Sequence, residues 1–403
     1  MTNRPNVLLV LFDSLSARQL EQNARDLPAL TALLDTAINF TNAYACGPES
    51  SPARSSLFTG LDMATHGVWT DGVTLPARET LMPEVFAQNG YHSWLIGRRQ
   101  LGGVSNWTTE HARAHEYHDF RWAHGPLHRS RQNAYLAWLQ RTEPETYAAI
   151  FPRQANADDT EISPSQIQAM ATLPDHLSFN AWVTDCMREH IGEDPFFGVA
   201  GFVVGQNMGM SGTVSENLNP NALRQADAAL AVILKELPEN TVLVVTAGRG
   251  SVNDTVTPDP LQEDAIKVPL VLRMPDSKAQ TVEDVVSTMD IAPTLFEFAN
   301  IRPPQRIQGK SLISSPPRGW ALSRLRHPDM SQQTALMTNR WKLVMTHGTK
   351  PSLNLFDLAA DPGEARDLAA EPHYQETLEA MIDQMIDARV ALEDRTEPRI
   401  AKF

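Results

Sequence analysis

The chain has 403 residues, 42% of them hydrophobic, enough to bury a large core and to form one large domain with a smaller one beside it. It carries 34 basic and 48 acidic side chains, a formal charge of −14, which disfavours nucleic acid or an anionic membrane surface as a partner. No run approaches the ~20 apolar residues of a bilayer span. The N-terminus shows no signal-peptide pattern and there are only two cysteines, Cys46 and Cys186, so the expectation is a cytoplasmic protein without a disulfide framework.

The first element is the apolar run 6–12, a strand covered on both faces, with Asp13 at its carboxyl end. That edge is where open α/β sheets place their ligands. Residues 27–37 and 78–89 carry helical spacing. Between them lies Ser50-Ser51-Pro52-Ala53-Arg54-Ser55-Ser56-Leu57-Phe58-Thr59-Gly60. Here Ser50 and Ser51 are suited to capping and Pro52 to the first helical position. A helix starting there offers backbone N–H groups and its positive dipole end to an oxyanion, and Arg54 adds a planar fork.

Residues 91–96 read as a second buried strand ending in Gly97-Arg98-Arg99-Gln100-Leu101-Gly102, and 103–174 as loop-rich. In that stretch His111, His115 and His118 have spacing that suits a metal cluster, but nothing in the pattern fixes them, and a structural role is preferred over zinc. A helix over 177–190, a strand over 194–204, a helix starting at Asn219-Pro220 and a strand over 241–245 follow. That last strand leads into Thr246-Ala247-Gly248-Arg249-Gly250. Pro316-Pro317 marks a linker, dividing the chain into 1–315 and 318–403.

Together these stretches resemble the sulfatase family, within the alkaline phosphatase superfamily. Ser50, Pro52, Arg54, Thr59 and Gly60 fit its signature C/S-x-P-x-R-x4-T-G, in which the first residue is oxidised to formylglycine and attacks the ester. The resemblance implies an α/β fold: a large, mostly parallel mixed sheet flanked by helices, plus a small C-terminal subdomain of antiparallel sheet and helix. It also makes Asp13 a candidate metal ligand. Lys267 to Leu272 resembles a strand block of the family, and Asp290 to Leu295 a helix-start block. Several positions depart from the pattern. Arg98 and Gln100 stand for the Lys and His of G-K-W-H-L-G, and Gln206 aligns with a substrate-binding His. Gly248 and Arg249 replace the metal-binding pair of T-S-D-H/N-G, and 251–266 holds no Lys.

Glycine has no side-chain ligand, a guanidinium repels a cation, and Gln100 cannot carry a proton as His does. The expectation is a metal-free pocket in which Arg54, Arg98 and Arg249 hold a small anionic ligand (a sulfate, phosphate or carboxylate ester), with Asp13 pairing Arg249. Sulfatase turnover is then reduced or absent. The alternative is a sulfuric, phosphoric or phosphonic ester hydrolase with Ser50 as nucleophile, as itself or as formylglycine, and calcium or magnesium beside it. Homo-oligomerisation stays open.

Overall fold

A computed structural model describes residues 4–102, 108–151, 163–192, 195–205, 220–251 and 260–393. The large sheet is built from β1 (Asn6–Asp13), β2 (Ile38–Tyr44), β3 (His92–Gly97), β4 (Asp119–Trp122), β5 (Phe196–Val203), β6 (Thr241–Ala247), β7 (Lys267–Val268), β8 (Leu270–Arg273) and β9 (Gln280–Ser287). Its spatial order is β4-β3-β5-β1-β6-β8-β2-β7, with β9 added beside β2. The apolar run of β1 explains its place. All eight residues are buried, and the strand lies parallel between β5 and β6, pairing Leu9 with Val199 on one side and Val244 on the other.

β3 lies parallel to β5 as well, so the carboxyl ends of β3, β5, β1 and β6 share one edge. β8 is antiparallel to both β6 and β2, which returns the end of β2 to that same edge. The chain leaving β2 there enters the helix Ser50–Thr59. Gly97, which ends β3, has φ +100°, and a Cβ on it would lie 2.7 Å from the Gly201 carbonyl oxygen. Only glycine lets the two strands close up at this point.

The expected strand over Lys267 to Leu272 is split into β7 and β8 at Pro269, which has no N–H for the ladder. The helix expected over 78–89 is shorter, Met82–Gln88, because Glu84 reaches back to the Leu81 N–H and fixes the start there. The stretch read as loop-rich is more ordered than expected. It contains β4 and the helices Ala134–Thr142, Pro144–Ile150 and Pro164–Ala171. Their starts use Asn133 and Ser163 as side-chain caps and Pro144 and Pro164 as first residues, signals masked by the polar composition.

The C-terminal region is a four-stranded antiparallel sheet, β10 (Ala321–Arg326), β11 (Gln332–Met337), β12 (Trp341–His347) and β13 (Ser352–Asp357), in that order. The helix Gln375–Ala391 packs on it through Leu378, Met381 and Met385 against Leu336, Leu343 and Leu355. Lys342 of β12 is fully buried. Its ammonium donates to the Leu261 carbonyl (2.6 Å) and pairs with Glu364 (2.5 Å) and Glu263 (3.4 Å), tying this sheet to the large one. Among the described residues no helix is long and apolar enough to cross a membrane.

Candidate functional site

The shared strand edge gathers Asp13 after β1, Arg98 after β3, Gly248 and Arg249 after β6, and the helix carrying Ser50 and Arg54. All are buried: Arg54 is 1% exposed, Ser50 3%, Arg98 6% and Arg249 7%. Asp13 accepts from Arg54 Nη2 through Oδ1 (3.3 Å) and from Arg98 Nη1 through Oδ2. The expected pairing of Asp13 with Arg249 is therefore corrected. Arg249 Nε donates instead to Ser50 Oγ (2.9 Å), because both carboxylate oxygens already serve the other two guanidinium groups.

The electrostatics follow from this packing. Burial alone would push the Asp13 carboxyl up, but the charges of Arg98, Arg54 and Arg249, with the Arg98 hydrogen bond, hold it below the usual carboxylate range. Burial pulls Arg54 down, with Asp13 opposing and Arg98 adding to the effect. Arg54 Nη1 also donates to the carbonyls of Arg98 (3.0 Å) and Arg99 (3.4 Å), and Arg98 Nε donates to the His124 carbonyl. Two donors are nevertheless left over. Arg54 Nε and Arg98 Nη2 are buried without a hydrogen-bond partner among the described residues.

The helix start differs from the sequence expectation. Glu49, not Ser50 or Ser51, is the N-cap, and Pro52 is the third helical residue. The Ser51 N–H is taken by the Asp71 carboxylate (2.6 Å), while the Asp71 N–H donates to Glu49 (2.5 Å). The Ser51 amide at the helix terminus thus already faces a carboxylate of the protein. Burial and the Asp71 charge raise the Glu49 carboxyl, against the Asp71 N–H and the Arg249 charge.

Gln100 is 6% exposed, has φ +59°, and its Oε1 is buried without a partner. Its backbone is pinned by Glu110, which accepts from the N–H groups of Gln100 and Leu101 (2.7 Å each) and from Trp122 Nε1 (3.1 Å). Gln206 lies outside the described residues. Sequence reasoning missed Glu110, Asp71 and His124, all in segments without periodicity. Burial, then the charges of Arg98, His128 and Arg54, push His124 well below its ordinary value, so it is neutral. His111, His115 and His118 do not assemble; His118 Nδ1 instead accepts from the Ser93 N–H (3.1 Å).

A divalent cation does not fit the described donors. Both oxygens of Asp13 are engaged by arginines, and no group of three His, Cys, Asp or Glu side chains able to hold a metal occurs among the described residues. A Cβ at Gly248 would stand 3.0 Å from Arg54 Nε and 3.2 Å from Arg54 Cγ. The Arg54 side chain therefore occupies the space in which a ligating side chain at 248 would extend.

The chain matches a family model for the sulfatases over residues 5–301. The chain belongs to the sulfatase family. It is 25% identical to the ulvan-active sulfatase of Formosa agariphila, over 96% of this chain and 81% of that one. It is 23% identical to the uncharacterized sulfatase YidJ of Escherichia coli, over 95% and 87%. In fold it is similar to the phosphonate monoester hydrolase of Agrobacterium radiobacter, with a TM-score of 0.76 at 19% identity, covering 98% of this chain and 97% of the other.

Proposed function

We propose that this sulfatase-family protein binds a small tetrahedral oxyanion through Arg54, Arg98 and Arg249, without a divalent cation, and has reduced or no sulfatase turnover. The observation that carries this reading is the pair of buried donors, Arg54 Nε and Arg98 Nη2, that the described residues leave unsatisfied. A buried charged donor without a partner costs more than the ~1–3 kcal/mol of a neutral one, and an oxyanion removes that cost. Asp13 is the one carboxylate bonded to either group among the described residues, so two cations share one anion. The ligand supplies the missing negative charge. Two buried free thiols suit a reducing cytoplasm.

The second reading, hydrolysis of a sulfuric, phosphoric or phosphonic ester, draws on the Arg249 N–H held 2.9 Å from Ser50 Oγ, a donor suited to an alkoxide. In that reaction Ser50 Oγ bonds to sulfur or phosphorus and the ester oxygen leaves with the bonding electrons. The Ser50 proton needs an acceptor, and the one partner of Ser50 Oγ among the described residues is a donor. That ranks binding above turnover.

The test is calorimetric titration with inorganic sulfate and phosphate, with and without EDTA, beside assays on aryl sulfates and phosphates and intact-mass analysis of Ser50. Binding unaffected by EDTA, with no turnover, is expected. Tight calcium binding, or turnover abolished by Ser50→Ala, would overturn the first reading.

A further inference from the structure

We infer that the site selects an oxyanion that keeps a proton on one oxygen, hydrogen phosphate or a monoprotonated phosphoryl group, over sulfate, and that Gln100 is the residue that reads this proton. This rests on the oxyanion reading above. At the strand edge Arg54 Nε and Arg98 Nη2 lack an acceptor among the described residues and Gln100 Oε1 lacks a donor; the Ser51 and Ser55 hydroxyls on the Arg54 helix are also buried without partners there, and either can donate or accept. The acceptor follows Arg98 and Arg99, whose carbonyls rest on the Arg54 guanidinium.

The backbone is held for this purpose. A non-glycine residue at φ +59° is strained, and it persists because Glu110 clamps the N–H groups of Gln100 and Leu101. A ligand that satisfies the three strand-edge orphans needs at least two acceptor oxygens and one donor. Sulfate has four acceptor oxygens and no proton at neutral pH. Hydrogen phosphate has the same shape with one P–OH, which donates to Gln100 Oε1 while its other oxygens accept from the arginines. A neutral amide accepts that proton without the repulsion that a carboxylate would exert on a dianion. Glutamine also does not titrate, so the preference holds across neutral pH.

The test is calorimetry on the full chain with inorganic phosphate, sulfate and monofluorophosphate, the last a tetrahedral dianion with fluorine in place of the hydroxyl. Phosphate is expected to bind about tenfold or more tightly than either, the equivalent of roughly one hydrogen bond. Gln100→Met, similar in length with only a weak acceptor, is expected to bring phosphate down to the sulfate level and leave sulfate unchanged. Gln100→Glu should keep the preference for phosphate and weaken sulfate. If either substitution prevents folding, as judged by melting, the fluorophosphate comparison on the unaltered protein decides alone. Equal affinity for the three anions, or a phosphate preference that survives Gln100→Met, overturns the role of Gln100 with the oxyanion site intact. Failure of all three to bind overturns the oxyanion reading and this inference with it.

Discussion

Asp13→Asn tests how the arginine cluster is held together. The substitution keeps the shape and one carbonyl acceptor but removes the charge shared by Arg54, at 3.3 Å, and Arg98. Removing one partner of a buried pair typically costs about 3–5 kcal/mol. At ~2.1 cal/mol/K of unfolding entropy per residue, 403 residues give roughly 0.85 kcal/mol/K, so the melting temperature should fall by about 4–6 °C at pH 7. Phosphate or sulfate at a fixed concentration ~100 times its Kd for the unaltered protein adds about 2.7 kcal/mol to that protein, and more to any variant that binds it more tightly. It should bind the variant more tightly, because an anion now faces uncompensated guanidinium groups, and so narrow the gap. The sign of the pH dependence is also fixed. The Asp13 pKa is lowered on folding, so its stabilisation is present above the unfolded value of 3.8 and lost as pH falls through the folded one. The difference between the two proteins should therefore be flat from neutral pH down to that range. Scanning calorimetry of both proteins, with and without anion, measures all of this. An unchanged melting temperature, or a deficit that anion widens, would refute the reasoning.

Arg249→Ala removes the donor to Ser50 and a cation of the site, and is expected to weaken phosphate and sulfate binding by about 10–150-fold, the equivalent of a charged hydrogen bond, as read by calorimetry. Gly248→Ala puts a methyl 3.0 Å from Arg54 Nε, and overpacking of that kind costs about 1–3 kcal/mol. A melting temperature lower by about 1–4 °C, together with weaker anion binding, is expected from parallel melts and titrations. Lys342→Met leaves Glu263 and Glu364 facing each other in a buried space, and should cost about 3–5 kcal/mol in denaturant unfolding while leaving oxyanion affinity unchanged.

Much of the frame was legible because the buried strands advertise themselves. The run 6–12 and Thr241 to Val245 are apolar on both faces, and such runs fit only the middle of a parallel sheet. Arg54 was legible from the helix start, and Arg98 and Arg249 through the resemblance of their strand-end blocks to the family's. What was not legible was the choice of partners. Sequence placed Arg249 near Asp13 but could not say that Arg98 and Arg54 would take both carboxylate oxygens first, a matter of side-chain reach. The roles of Asp71 and Glu110 were hidden for a different reason: each acts on backbone N–H groups from a segment with no periodicity, 20 residues from Ser51 and 10 from Gln100.

The Asp71 carboxylate has a consequence for how ligand preference in this pocket can change. With the Ser51 amide of the Ser50 helix already facing a carboxylate from a neighbouring loop, the proposed recognition falls to three separate guanidinium groups, one on that helix and one each after β3 and β6. Taste for one anion over another can thus drift one side chain at a time, whereas a cradle made of peptide groups would have to be rebuilt whole.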